Sequence, residues 1–307
     1  AGSAAGPAGA TAMSNHERVE QLKRRLGEGV LLADGALGTI LSRGGHEPGK
    51  SLDLLNVESP DLVRAAHRGY VEAGSELILT NTFQGSRPSL ERHNLADRTA
   101  ELNTAGAVLA REVAGAEIFV GGDIGPTGRV LEPYGDYPTE SARAAFSEQA
   151  QTLADAGVDC LVLETFSSLD ELRIAVDAAV ETGLPAFASM SFDPSGRTAF
   201  GVTPEQAAEQ LQAAGAAAVG ANCGTISLEE MVGIIASFRQ ATSLPLIAQP
   251  NAGRPQQTAA GTIYTEEPES MAEIAARLRD LGATIIGGCC GSTPDHIRAI
   301  AARLRRG

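Results

Sequence analysis

The sequence predicts a single closed (β/α)8 barrel, and three observations carry that prediction. Eight short apolar runs recur along the chain, an amphipathic segment follows most of them, and the unusual polar residues stand where the runs end. Strands alternating with helices build a parallel sheet. The near-continuous hydrophobicity of each run suits strands covered on both faces. An open doubly wound sheet, built from the same units, is the alternative topology.

Residues 1–12 contain only Ala, Gly, Ser, Thr and Pro, and Met13 follows. This segment is read as a tag or disordered leader, with the native start at Met13 and one barrel over 13–307. The roughly 295 residues that remain exceed the ~250 typical of such a barrel. No linker-like shift in composition interrupts them.

In chain order, residues 14–27 read as a leading helix, with Val19, Leu22 and Leu26 at helical spacing. The apolar runs then fall at 30–33, 76–80, 118–121, 160–163, 186–190, 217–220, 244–248 and 284–287. Helix starts are signalled at Ser59-Pro60-Asp61, Thr203-Pro204-Glu205 and Thr293-Pro294-Asp295, where a capping residue precedes Pro. Gly74, Gly157, Gly183, Gly215 and Gly282 stand where helices should stop. Long loops at 40–58, 125–138 and 251–267 all follow strands, which makes them candidates to cover a substrate.

Composition narrows the function. With 38 acidic against 24 basic residues the formal charge is −14, which argues against nucleic acid and anionic membrane surfaces as partners. No apolar run approaches the roughly 20 residues of a membrane span. No signal peptide is read, and four cysteines in so long a chain make no disulfide framework, so the cytoplasm is the expected compartment.

Active sites of (β/α)8 barrels lie at the C-terminal ends of the strands. Cys289 and Cys290 sit there between glycines, directly after the last apolar run, and Cys223 ends the sixth. Adjacent strand residues point to opposite faces. Both cysteines can serve one site only if the chain turns there, which Gly permits. Strands six and eight would flank the seventh at ~10 Å, a gap that inward-leaning side chains can narrow. Three thiolates are a strong zinc set that leaves a fourth position open. Inert packing is the competing reading of each cysteine. Cys160 begins its run at the opposite end and reads as structural. Zn²⁺ with three thiolates carries a net charge of −1. Such a centre suits holding a further thiol as an electron-rich thiolate for attack on an alkyl electrophile.

Seven motifs in order then resemble the homocysteine S-methyltransferases. They are Asp34-Gly35-Ala36-Leu37-Gly38-Thr39, Thr80-Asn81-Thr82-Phe83, Glu164-Thr165-Phe166, Ser191-Phe192-Asp193-Pro194-Ser195-Gly196, Ala221-Asn222-Cys223, Pro250-Asn251-Ala252-Gly253 and Gly287-Gly288-Cys289-Cys290-Gly291. The flavour is that of the homocysteine-binding module of cobalamin-dependent methionine synthase. The resemblance implies one zinc per chain on Cys223, Cys289 and Cys290, with homocysteine sulfur in the open position and no further catalytic group. It implies that Glu164 binds the substrate ammonium and that Asn251 fills the fourth position without substrate. A turn residue is the plainer reading of Asn251. Asp34 either assists with the ammonium or braces its turn. The N–H groups of Gly35 and Ala36 are candidate carboxylate donors, while Asn81 and Asp123 are expected only to hold hydrogen bonds.

The methyl donor is left open between a methyl-corrinoid on a separate protein and a small methyl-sulfonium. Betaine is disfavoured, because the chain has no Trp and carries Thr165 where betaine-using relatives have Tyr after the glutamate. Tyr134, Tyr137 and Tyr264 could still form an aromatic cage. A non-catalytic zinc- or thiol-binding subunit of a corrinoid complex is the competing function. A redox role through a strained Cys289–Cys290 disulfide is the weakest.

Overall fold

The computed structural model describes residues 14–43, 49–259 and 261–305; the segment read as a leader lies outside them. Strands β1 (Leu31–Leu32), β2 (Leu77–Leu79), β3 (Phe119–Ile124), β4 (Cys160–Phe166), β5 (Ala186–Met190), β6 (Ala218–Asn222) and β7 (Leu246–Gln249) come first. A hairpin of β8 (Gln256–Thr258) and β9 (Gly261–Ile263) precedes β10 (Ala283–Ile286). The eight long-range strands form one parallel sheet in the order β1-β10-β7-β6-β5-β4-β3-β2. The seam between its ends carries a parallel bridge from Ala33 to Leu77. Asp34 N–H donates to Leu77 O at 3.0 Å there, and Glu76 N–H to Leu32 O at 2.7 Å. An open doubly wound sheet would leave both of those edges unpaired.

Inside the ring, Leu31, Leu77, Phe119, Val162, Phe187 and Ile285 pack with Cys160 in one buried layer. Fully burying each large side chain contributes about 1.5–3 kcal/mol. The helix Asn15–Leu26 is fixed by a Ser14–Glu17 capping box, and its Leu22 joins that layer with no exposed surface. The same helix is anchored by Arg18, which donates to Asp159 at 2.6 Å and to the carbonyls of Ala116 and Ile118. Asp159 also accepts from Arg111 and from Val120 N–H, so the buried pair is fully bonded. The barrel interior is therefore packed at this end, where a groove lined by Leu26, Leu184 and Pro245 runs beside the leading helix.

The helix signals have identifiable outcomes. Thr203 forms a capping box with Gln206. His296 Nδ1 accepts from Thr293 N–H at 3.2 Å. Ser59 makes no side-chain cap bond, and Pro60 begins its helix. The five expected stop glycines all take positive φ, between +80° and +107°, which only Gly adopts cheaply. The stretch read as loop 40–58 holds a 3-10 turn at Leu52–Leu54 and a short helix at Leu55–Glu58, and the hairpin β8–β9 is a strand pair that the apolar pattern missed. All six of its strand residues are exposed, so no alternation marks it. Among the described residues no helix is long and apolar enough to cross a membrane.

Candidate metal centre and substrate cavity

A cavity of about 860 Å³ opens at the C-terminal mouth of the barrel. Of the three long loops, 40–58 contributes Ser42, Leu52 and Asp53 to it, and 251–267 contributes Thr262, Ile263 and Tyr264. Loop 125–138 instead borders a neighbouring groove, with Arg129, Glu132 and Tyr134.

The cysteines reach this cavity because two strands end in sharp turns. After β6, Cys223 takes a left-handed φ of +55°, and its N–H donates to Gln249 O on β7 at 3.2 Å. After β10, Gly288 N–H donates to Asp34 O at 2.9 Å and Cys289 N–H to Pro250 O at 2.8 Å. Gly291 then turns at φ +83°. A Cβ there would lie 2.4 Å from Cβ of Tyr264, so both conformation and space require glycine.

The three ligand atoms of Cys223, Cys289 and Cys290 lie within 4.8 Å of one another, with Cys223 and Cys290 sulfurs 3.8 Å apart. A tetrahedral ion with Zn–S bonds of about 2.3 Å holds its sulfurs about 3.8 Å apart. The trio thus has the spacing of a metal site. Thiols this close share their protons. Hydrogen bonds accepted from Cys223 and Cys289 hold Cys290 far below an ordinary thiol. Cys289 is driven up by donating to Cys223 and Cys290 and by burial. A divalent cation would displace the remaining protons.

Asn251 lies beside this cluster. Its neighbour Ala252 donates N–H to Cys290 O at 2.9 Å. Its own Nδ2 donates to Gly224 O at 3.0 Å, while Oδ1 is buried without a partner. An orphaned buried oxygen costs about 1–3 kcal/mol, and a fourth metal bond would relieve it.

The opposite wall is acidic. Burial, followed by the charge on Cys290, raises Glu164 to about 7. The Asp34 carboxyl accepts Leu79 N–H at 2.9 Å through Oδ2, which braces its turn, yet its Oδ1 is buried and unpartnered. Burial drives Asp34 well above the usual carboxylate range, with Glu164 adding to the effect. Asp123 rises for the same reason, with Glu164, Asp34 and Asp53 adding repulsion. Asp53, Asp123 and Glu164 line the cavity, with Asp34 buried next to Gly35 of its wall, and this cluster of acids creates a place for a cation.

Two expectations meet a different geometry. The Ala36 N–H is donated to Ser292 Oγ at 3.0 Å, so it is not free for a carboxylate. Gly35 remains on the cavity wall. The three tyrosines do not converge. Tyr264 lines the cavity, Tyr134 borders the neighbouring groove, and Tyr137 lies under Arg129 at 5.4 Å from guanidinium carbon to ring centroid. Cys160 is fully buried at the filled end of the barrel.

Asp53, Gln249 and Ser292 escaped the sequence reading. Asp53 lies in a 3-10 turn, is buried, and is raised to about 6 by that burial. Gln249 ends β7 and borders the cavity with an unpartnered buried Oε1. It was accessible to the same strand-end rule that found Glu164. Ser292 Oγ ties Ala36 N–H to Cys289 O, the latter at 2.7 Å, a pairing without local signal.

Known proteins share this arrangement of sequence and fold. A family profile described as homocysteine S-methyltransferase matches residues 31–304. Methionine synthases from Mycobacterium leprae and Mycobacterium tuberculosis are each 32% identical over 96% of this chain, which spans only 26% of their length. The homocysteine methyltransferase MmuM from Escherichia coli, in its metallated form, superposes with a TM-score of 0.78 at 26% identity. That superposition covers 93% of this chain and 99% of the other. The oxidized form of the same protein gives 0.76 at 26% identity, covering 89% and 96%. The chain belongs to the homocysteine S-methyltransferase family.

Proposed function

We propose that this chain is a zinc-dependent methyltransferase that moves a methyl group to the thiol of homocysteine, giving methionine. The observation that supports it best is the convergence of three cysteine sulfurs from two strand ends on the cavity that Glu164 also lines. Zinc held by Cys223, Cys289 and Cys290 would lower the pKa of an incoming thiol and keep it nucleophilic.

The chain's own residues then orient the substrate. Glu164 takes the ammonium, whose charge offsets the burial that holds this acid near 7. Asp34 offers its unpartnered Oδ1 to the same ammonium. Gly35 contributes the wall against the carboxylate. Asn251 Oδ1 serves as the fourth ligand until homocysteine displaces it. In the transfer, a sulfur lone pair forms the new S–CH₃ bond, the donor leaves with the electrons of the old bond, and the thiol proton goes to solvent.

The cavity exceeds what one small amino acid fills, leaving room for a donor. Among the described residues, Phe83 and Tyr264 are the aromatic residues lining it, too few for a quaternary-ammonium cage. The donor is therefore a methyl-corrinoid on a separate protein or a small methyl-sulfonium. The 26% coverage of the methionine synthases favours a second reading, a thiol- and zinc-binding module that works only beside other modules.

The test is homocysteine with a donor panel, with and without an added corrinoid protein, read as methionine formed. About one zinc per chain is expected. Cys290→Ala should lose both zinc and turnover, and full turnover by a zinc-free variant would overturn the proposal. Zinc binding without turnover from any free donor would select the second reading.

A further inference from the structure

Asn222 precedes Cys223 and is 1% exposed. From the end of β6, its amide reaches β4, β5 and the turn after β10. Oδ1 accepts from Thr165 N–H after Glu164 on β4, and from Ser189 Oγ on β5, each at 2.8 Å. Nδ2 donates to Thr165 Oγ1 at 2.7 Å and to Cys289 sulfur at 3.8 Å. A backbone N–H can only donate, so Thr165 fixes which amide atom is oxygen. The nitrogen must then face the sulfur. All four hydrogen-bonding positions of the amide are filled. Thr165 meanwhile holds φ +66°, a conformation that a β-branched residue adopts only when its surroundings impose it.

We propose that Asn222 is a positioning residue that couples the two halves of the site, donating N–H to the Cys289 ligand sulfur while clamping the strained irregularity of β4 that follows Glu164. The inference rests on the metal reading above. A hydrogen bond to a ligand sulfur draws electron density from it and fixes its orientation, and the loss of such outer contacts commonly weakens metal binding about 10- to 100-fold. One side chain therefore ties the spacing between the metal centre and the ammonium site to a fixed value.

Two variants separate the roles. Asn222→Ala removes every contact. Asn222→Asp can keep both Thr165 contacts and the Ser189 contact but presents an acceptor to the sulfur. The whole chain is loaded with cobalt(II), its sulfur-to-metal charge-transfer band is recorded, and zinc affinity is measured by chelator competition. Both variants should bind zinc about 10- to 100-fold more weakly, and Asn222→Asp should move the band to lower energy. Thr165→Gly added to Asn222→Ala should recover thermal stability but not the band. Folded variants with the parental band and affinity would overturn the inference. If Asn222→Ala does not fold, Asn222→Asp alone decides. Failure of the parent chain to bind either metal would instead remove the metal reading, and the coupling with it.

Discussion

Glu164→Gln should make the metal-free protein more stable and a worse binder. The carboxyl titrates near 7 in the fold against an ordinary 4.5, chiefly through burial. Between those values the folded protein keeps a proton that the unfolded chain releases, so stability falls as pH rises through that window. The difference, 7 less 4.5, at about 1.36 kcal/mol per unit amounts to about 3.4 kcal/mol. It is an upper bound, since cavity water screens part of it. Gln has nearly the same shape and no titration. Urea unfolding of metal-free parent and variant from pH 4 to 8 should show near equality at pH 4 and an advantage for the variant of up to about 3 kcal/mol at pH 8. Homocysteine binding should move the opposite way. Losing a hydrogen bond to a charged group costs about 1.5–3 kcal/mol, or roughly 10- to 100-fold in Kd by calorimetry. Parental binding should also weaken below pH 7, as Glu164 protonates. A variant no more stable than the parent at pH 8, or with unchanged Kd, would refute this reasoning.

Asn251→Ala should weaken zinc binding without homocysteine and leave it nearly unchanged with saturating homocysteine, measured by chelator competition. Arg18→Ala, which leaves Asp159 buried with one fewer cation, should cost about 3–5 kcal/mol in urea unfolding and expose the Asn15–Leu26 helix to proteolysis. Chelation followed by mild oxidation should link Cys223 to Cys290, whose sulfurs already touch at 3.8 Å, ahead of the adjacent Cys289–Cys290 pair. Peptide mapping of the oxidized protein distinguishes the two links.

The barrel was legible because each buried strand needs an apolar run, and those runs mark the strands to within a few residues. The runs undercount where a strand continues into the mouth. Thus β3 and β4 extend through Asp123 and Glu164 to Ile124 and Phe166, since parallel pairing outlasts apolar sequence. The cysteines were legible because a thiol at a strand end, beside glycine, has few structural reasons to be there. What stayed hidden depends on pairings between distant residues. Asn222 meets Thr165 across 57 positions and Cys289 across 67, and Ala36 meets Ser292 across 256. No local pattern encodes such pairings. The hairpin β8–β9 is exposed and polar, so burial left no trace of it in the sequence.

X-ray absorption at the zinc edge, with and without homocysteine, tests the site most directly. Three sulfurs at about 2.3 Å plus one lighter ligand are predicted for the substrate-free protein, and four sulfurs once homocysteine is added. A sulfur count that does not change on adding homocysteine, or a chain that binds no zinc, would contradict the proposed chemistry.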